Sequence, residues 1–157
     1  MNHLSQLVVF RLDNQRYALP LPTVERIVRA VEVTALPKAP SIVLGIVDVA
    51  GRVCPVLNVR QRFGLPDKEI RSADQFLIAR TARRTVALVI DEAEGMVELS
   101  PAEIVAPAVI LPGLEQIHGV IKLNDGLALI CDLEKFLSLE EANALEAAMC
   151  HEAAYEA

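Results

Sequence analysis

The stretch GIVDVAGRVCPVLNVR, residues 45–60, decides the fold class of this chain. Gly45 leaves the backbone free before an apolar run, Gly51 allows a tight turn after Ala50, and a second apolar run ends at Asn58. Two apolar runs on either side of a tight turn are typical of a β-hairpin. The segment therefore predicts a strand–turn–strand unit and favours an all-β fold.

The same pattern continues on both sides of this hairpin. The predicted strands cover residues 6–12, 15–20, 28–33, 43–49, 52–57, 75–80, 84–90, 94–99, 117–123 and 127–132. So many short strands in one flat sheet would leave long edges open to aggregation. We expect two small five-stranded β-barrel subdomains that share an apolar core. No internal repeat is clear in the sequence.

Short helical elements are predicted between the strands. Pro22-Thr23 can open one helical turn at 24–27, and Asn58 can cap a second turn that Gly64 ends in the left-handed conformation. Ser100 and Glu103 have the spacing of a capping box. Residues 105–116, rich in proline and alanine, are predicted to form a loop.

The chain ends in a segment of different character. Ser138 and Glu141 form another capping box, and the apolar residues that follow fall near helical spacing. Those apolar residues are Leu139, Ala142, Leu145 and Met149. We predict a body over 6–137 and an acidic amphipathic helix over 138–157, which either packs against the body or reaches a partner.

Charge excludes one class of partner. The net charge is −6, and residues 138–157 hold five acidic residues without any Lys or Arg, so the remaining chain is nearly neutral. Nucleic-acid binding requires a basic face, and the arginines at 60, 62, 80, 83 and 84 are interpreted as solvated strand ends. We expect no nucleic-acid partner.

Location follows from hydropathy and cysteine usage. The sequence has no signal-peptide pattern, and its longest uncharged run, 104–114, is interrupted by two prolines and falls short of the ~18 residues that span a bilayer. Cys54, Cys131 and Cys150 are odd in number and far apart, which favours free thiols in a reducing compartment. We expect a cytoplasmic protein without direct membrane insertion.

Catalytic and metal-binding patterns are weak. His3, His118 and His151 are scattered, with no cysteine at ligand spacing from any of them. Cys54 with His118 could form a nucleophile–base pair, although a thiol inside an apolar run is more typical of a core residue. The aspartates that follow apolar runs could act as acids only if the fold paired them; they are Asp48, Asp91 and Asp132. We expect no enzyme, no cofactor and no metal.

The segment over 45–64 resembles the hallmark of the CheW family of chemotaxis coupling proteins. That hallmark reads roughly G-V-hydrophobic-x-L-R-G-x-hydrophobic-P-hydrophobic-hydrophobic-D-L-R. Three further segments resemble the same family in the same order: LVVFRLDNQRYALPLPTVERI (7–27), VALVIDEAEGMVELSPAEI (86–104) and HGVIKLNDGLALICDLEKFLS (118–138). The likeness extends over residues 6–140.

The resemblance implies two five-stranded β-barrels and a scaffold role without catalysis. It implies binding of the regulatory domain of a CheA-type histidine kinase through an apolar barrel edge, and of a chemoreceptor's cytoplasmic tip in a groove between barrels. The positions carried over as partner-binding are Val24, Arg26, Ile27, Gly45, Ala50, Gly51, Arg52, Asn58 and Arg60.

Three positions depart from the family pattern. Ala50 stands where the family has arginine, Arg26 stands where it has an acid, and Asn58 replaces the usual aspartate. The first two form an acid–base pair in the family, so both members have changed together. We predict a divergent coupling protein with altered partner choice. An alternative is a modulator that occupies the coupling position and inhibits or titrates a receptor–kinase array, which Ala50 makes plausible.

Overall fold

The computed structural model describes residues 5–105 and 116–156, and the side chains of 5–105 and 116–150. The strands are β1 Ser5–Leu12, β2 Gln15–Pro20, β3 Val24–Arg29, β4 Val43–Val49, β5 Arg52–Leu57, β6 Gln75–Arg80, β7 Thr85–Ile90, β8 Glu92–Leu99, β9 Ile104–Val105, β10 Ile117–Leu123 and β11 Gly126–Cys131. The α-helices are α1 Val59–Phe63 and α2 Leu139–Glu156, and 3-10 turns cover Leu21–Thr23, Pro101–Glu103 and Leu133–Lys135. No helix in the described ranges is long and apolar enough to cross a membrane.

The strands form two sheets, which confirms the predicted all-β fold in two units. The first sheet has the order β8-β1-β2-β11-β10-β9 and the second the order β3-β6-β7-β5-β4. Strand pairing closes neither sheet into a barrel within the described residues, and the first sheet has six strands because the two-residue β9 adds to β10.

Apolar side chains form three clusters, one for each sheet and one shared between them. Leu7, Val9 and Ile130 belong to the first sheet's own cluster, and Cys54 and Phe76 to that of the second sheet. The shared cluster, called the seam here, takes its largest side chains from both sheets; they include Phe10, Leu12, Leu19, Leu57, Leu77, Leu88, Ile90 and Phe136. The two units therefore share an apolar core, as predicted.

Both faces of the central strands are buried, which explains their continuous apolar sequences. In β7, Val86, Leu88 and Ile90 point to the seam, whereas Ala87 and Val89 point to the second sheet's own cluster. Alternate side chains of a strand lie on opposite faces, so a strand buried on both faces needs apolar residues at every position.

Residues 24–27 are a strand and not the predicted helical turn. The proline-bounded turn lies earlier, at Leu21–Thr23, and Val24 begins the pairing of β3 with β6. Pairing with a neighbouring strand therefore outweighs the helix-start signal of Pro22-Thr23. The extended segment predicted to reach Val33 leaves the sheet after Arg29.

Two of the three predicted caps form as expected. Asn58 Oδ1 accepts a hydrogen bond from the Gln61 amide at 3.3 Å, and Gly64 ends α1 with φ of 71°. Ser138 and Glu141 exchange both hydrogen bonds of a capping box, at 2.8 and 3.1 Å. The third prediction is wrong, because Ser100 makes no side-chain cap to the three-residue 3-10 turn after it.

Helix α2 packs against the seam through one face. Leu145 and Ala148 are buried there, and Arg62 binds Glu141 at 2.6 Å. Leu139, predicted on the packed face, is 68% exposed. The boundary between a body over 6–137 and a helix over 138–157 stays a prediction. Residues 106–115, most of the predicted loop, lie outside the described residues, while Val105 belongs to β9.

Residues 42–63 and 116–137 build the same unit twice, with Gly45 equivalent to Gly119. The strands β4 and β10 share the burial pattern residue for residue. Each hairpin breaks register once, just before its glycine, and each second strand runs parallel to a strand of another hairpin. Since β11 pairs with β2 where β5 pairs with β7, strand β2 is equivalent to β7. Their antiparallel neighbours β1 and β6 are then equivalent to each other. The structure thus contains an internal repeat that the sequence does not display.

Candidate functional site

The turn end of the β4–β5 hairpin brings three of the predicted site residues together. Arg26 from β3, Ala50 from the turn and Arg52 from β5 line one cavity of about 160 Å³. Ala50 and Gly51 both have positive φ, 51° and 84°. A two-residue turn with this backbone matches the twist of the flanking strands, so the hairpin holds the exposed residues in a fixed position. We call this region the second-sheet corner.

An acid and a base face each other across the second-sheet corner, although the pair expected from the family is absent. The Arg52 guanidinium donates to Glu25 Oε1 at 3.3 Å and to Thr85 Oγ1 at 2.9 Å. Glu25 precedes Arg26 by one residue, and Arg52 follows Ala50 by two. The corner therefore retains opposite charges on shifted positions. The family's acid and base are both absent at positions 26 and 50, but a different acid–base pair, Glu25 with Arg52, lies at the same corner.

A β-bulge explains how Glu25 reaches the corner. The pairing of β3 with β6 passes from Val24 to Arg26 and leaves Glu25 out of register. A bulged residue redirects its side chain relative to regular alternation. Sequence reasoning missed Glu25 and Arg52 as partners because alternation alone does not reveal a bulge.

Apolar side chains accompany these charges. Val24 is half-buried against the seam, while Ile27 is 36% exposed on the same strand. Val53, next to Arg52 on β5, is 44% exposed. A partner at the second-sheet corner would therefore meet charged and apolar groups together.

Gly45 lies inside the fold and positions the hairpin. It has φ of 153°, and a Cβ built on it would lie 2.2 Å from the Thr34 carbonyl oxygen and 2.6 Å from Val33 Cγ1. Thr34 and Ile46 exchange two backbone hydrogen bonds at this point, at 2.7 and 2.9 Å. Glycine is required here because residues 33–34 cross directly over β4.

Asn58 and Arg60 lie beyond the other end of β5, away from the second-sheet corner. Asn58 caps α1. Arg60 is buried, and its guanidinium lies 2.8 Å from a carboxylate oxygen of both Asp13 and Asp91. Asp13 belongs to the β1–β2 turn of the first sheet, so Arg60 ties the two units together.

This charge cluster shifts the acidity of its members. The hydrogen bond from Arg60 holds the pKa of Asp13 below its ordinary value. Burial on its own would raise the pKa of Asp91, but the Asp13 amide and the Arg60 guanidinium together hold that pKa below its ordinary value. The cluster is ionised at neutral pH and has the character of an internal ion pair.

The residues considered for catalysis do not assemble. Cys54 is buried in the second sheet, where burial raises the pKa of its thiol, and His118 lies on β10 of the first sheet. Across residues 5–105 and 116–150, no three His, Cys, Asp or Glu side chains lie where they could hold a metal ion. His3 lies outside the described residues, as does the side chain of His151.

Similarity to known proteins covers most of the chain. The sequence model of the CheW-like domain matches residues 6–141. The chain is 27% identical over 146 residues to the chemotaxis protein CheW of Treponema pallidum, covering 89% of this chain and 86% of that protein. It is 26% identical over 133 residues to the chemotaxis protein CheW of Helicobacter pylori, covering 84% and 81%.

A solved structure shows the same fold. The scaffolding protein TtCheW from Thermoanaerobacter tengcongensis superposes with a TM-score of 0.80 at 21% identity, over 88% of this chain and 96% of that one. The family model covers residues 6–141, which is most of the chain, and the chain therefore belongs to the CheW-like domain family.

Proposed function

We propose that this chain is a non-catalytic cytoplasmic adaptor that couples chemoreceptors to a CheA-type histidine kinase in bacterial chemosensory signalling. The observation that carries the proposal is the family match over residues 6–141, together with relatives named chemotaxis protein CheW that align along most of their own length. The fold supports it, because a rigid pair of sheets with fixed turns offers several separate surfaces for partners.

The second-sheet corner is the proposed contact for the kinase's regulatory domain. It lies where the β3 strand, an edge of its sheet, meets the β4–β5 turn, and it offers Ile27 and Val53 as exposed apolar groups beside Arg26 and Arg52. Interfaces of this kind combine an apolar centre with a charged rim.

A groove between the second sheet and the C-terminal segment 133–146 is the proposed contact for the helical tip of a receptor. It has a volume of about 320 Å³. Leu57 and Val86 line it from the second sheet, and Leu133, Leu137 and Leu145 line it from the other side. An apolar groove of this kind suits the apolar face of an amphipathic helix.

The predicted site residues divide into two roles under this proposal. Val24, Arg26, Ile27, Ala50, Gly51 and Arg52 contact the partner. Gly45, Asn58 and Arg60 act indirectly, because Gly45 and Arg60 are buried and Asn58 caps α1. Variants of the second set should change stability before they change binding.

The proposal is tested by reconstitution with the kinase and receptors of the same cell. We expect the chain to bind both and to raise receptor-controlled kinase activity. Binding with suppressed kinase activity would support the alternative of a modulator that titrates the array. Binding to neither partner would contradict the coupling function itself.

A matched pair of variants locates the kinase contact. Ile27→Asp should weaken kinase binding by about tenfold, because it places a charge in an apolar contact. Met96→Asp is the control, since Met96 occupies the equivalent position on β8 and is 55% exposed. Equal effects of the two variants would rule out a contact specific to the second-sheet corner.

A further inference from the structure

The internal repeat gives the second-sheet corner a counterpart in the first sheet. The arginines of that counterpart are paired with carboxylates of the same chain. Arg16 lies 2.7 Å from Glu94 on β8 and donates to both carboxylate oxygens of Asp125 in the β10–β11 turn. Arg11 beside it lies 3.1 Å from Glu92. Every arginine of this first-sheet corner has a carboxylate of its own chain.

Equivalent positions in the second sheet carry other residues. Thr85 takes the place of Arg16, and Gly51 takes the place of Asp125. Among the acids only the bulged one is kept, because Glu25 and Glu94 are the residues that drop out of register in β3 and β8, while Arg80 takes the place of Arg11. The second corner therefore has one acid where the first has three.

Arginines surround this single acid. Arg52, Arg80, Arg83 and Arg84 line a cavity of about 210 Å³, and Arg26 lines the adjoining cavity that also contains Arg52. Arg83 lies 3.9 Å from Glu146, and of the other four arginines only Arg52 has a carboxylate of the described side chains within 4.0 Å. We call Arg26, Arg52, Arg80 and Arg84 the arginine corner. Several guanidinium groups and one carboxylate leave a local excess of positive charge.

The acidic helix α2 does not neutralise this corner. Its Glu146 reaches only Arg83, at 3.9 Å, and Glu134 accepts a hydrogen bond from the Ala82 amide at 2.8 Å. Both acids line a groove together with Arg83 and Arg84, but neither lies within 4.0 Å of the Arg84 guanidinium. Among the described side chains, Arg26, Arg80 and Arg84 therefore have no paired carboxylate, although the chain as a whole is acidic.

We propose that the arginine corner binds an acidic segment of a protein partner, whose carboxylates take the places that Glu92 and Asp125 take in the first sheet. The inference rests on the proposed function, because Arg26 and Arg52 belong to the proposed partner surface. Guanidinium groups bind carboxylates through two parallel hydrogen bonds, which gives orientation as well as attraction. A cavity of about 210 Å³ suits carboxylate side chains and lies below the size of usual small-molecule sites.

The first test uses the full-length CheA-type kinase of the same cell and the full chain. Arg80→Glu combined with Arg84→Glu should weaken binding by about tenfold or more, and wild-type binding should weaken with added salt. The control combines Lys122→Glu with Lys135→Glu, which changes net charge equally at exposed positions outside the corner. An equal loss in control and corner variants, or no loss in either, would overturn the inference while leaving the coupling function intact.

The second test does not depend on the kinase. The ¹⁵N-labelled full chain is titrated with a capped hexaglutamate peptide and, separately, with inorganic phosphate. We expect the peptide to shift the amide resonances of Arg26, Arg52 and residues 80–85, and the Arg80→Glu, Arg84→Glu variant to lose these shifts. Absent shifts would overturn the inference, as would equal shifts with phosphate, which would assign the corner to a free anion. If the kinase fails to bind while the peptide shifts appear, the proposed function fails and the arginine corner stands.

Discussion

Residues 42–63 and 116–137 fold into the same hairpin and helical turn, yet they share one identical residue, the glycine at 45 and 119. Both place a capping residue after the second strand, Asn58 in one and Asp132 in the other. Burial pattern, a register break and a cap are therefore sufficient to specify this unit, and side-chain identity is free to vary.

The two copies differ where they meet solvent and each other. The turn of 116–137 is tied down by Arg16 through Asp125, whereas the turn of 42–63 has Ala50 and Gly51 and faces the arginine corner. Past the second strand the relation reverses, because Arg60 is buried in an ion-pair cluster while its equivalent Glu134 is exposed. The copy at 42–63 therefore supplies both the ion pair that connects the two units and the turn that is free of internal ion pairs. The copy at 116–137 has a turn held by Arg16 and makes no such connection through Glu134.

The largest expected difference between the copies is at their shared glycine. Gly45→Ala should lower the free energy of unfolding by about 3 kcal/mol, because the new Cβ meets the Thr34 backbone and the φ of 153° disfavours a side chain. Gly119→Ala should lower it by about 1 kcal/mol, because its Cβ would meet the Ile104 side chain, 2.6 Å away, which can move. Urea denaturation of both variants checks this, and equal losses would contradict the asymmetry.

The next largest difference concerns the equivalent residues Arg60 and Glu134. Arg60→Met should lower the free energy of unfolding by about 2 kcal/mol, because the half-buried Asp91 carboxylate loses the cation 2.8 Å away and keeps only Lys68 at 3.9 Å. Glu134→Ala should cost about 0.5 kcal/mol, since an exposed acid and one hydrogen bond are lost. Thermal and urea unfolding measure both free energies. A larger loss for Glu134→Ala than for Arg60→Met would contradict the assignment of the stabilising inter-unit contact to Arg60.

Acid should remove the advantage that Arg60 confers. The pKa values of Asp13 and Asp91 are lowered from 3.8 in the folded protein, so the folded state holds fewer protons than the unfolded state in this range. The contribution is therefore complete above about pH 4 and is lost as the pH falls through the folded pKa values. The stability difference between wild type and Arg60→Met, followed by urea denaturation from neutral to acid pH, should shrink below pH 4. A constant difference would contradict the ion-pair interpretation.

The smallest expected effect is a gain at the open turn. Ala50 has φ of 51°, a left-handed conformation that asparagine tolerates better than alanine. Ala50→Asn, which borrows the residue of the equivalent position 124, should raise the free energy of unfolding by about 0.5 kcal/mol. The same change at an exposed turn residue without positive φ is the control: Ala73→Asn should give no gain. A loss at Ala50 would show that its side chain makes contacts that asparagine cannot replace.

Sequence patterns predicted the strands best where one physical cause dominated. Tight turns and apolar runs located the hairpins at 43–57 and 117–132 within a residue or two, because consecutive residues in part of each strand are buried on both faces. The helical turn at 24–27 failed, since Pro22-Thr23 is a local signal and the pairing of β3 with β6 is not. Non-local pairing is what a single sequence conceals.

The site was harder to predict than the fold, for a related reason. Glu25 and Arg52 belong to no sequence motif that predicts their contact. They form an ion pair because the β-bulge at Glu25 directs its side chain toward Arg52. The two copies of the repeat share their burial pattern and strand register but only one identical residue. A comparison of their sequences therefore does not reveal the repeat. The family resemblance identified Arg60 as a site position. Its burial and its ion pair with Asp13 could not be predicted, because they depend on how the two sheets pack together.

The arginine corner lies at the surface, with Arg26, Arg52 and Arg80 exposed and Arg84 half-buried, and this position has an evolutionary consequence. Substitutions at Arg26, Arg80 or Arg84 alter the charge that a partner meets without disturbing the packing on which folding depends. A cell that keeps several signalling arrays can therefore let duplicated adaptors diverge at this corner one arginine at a time, each intermediate remaining folded. Insulation between parallel pathways then requires only that the matching acids on each partner change in step.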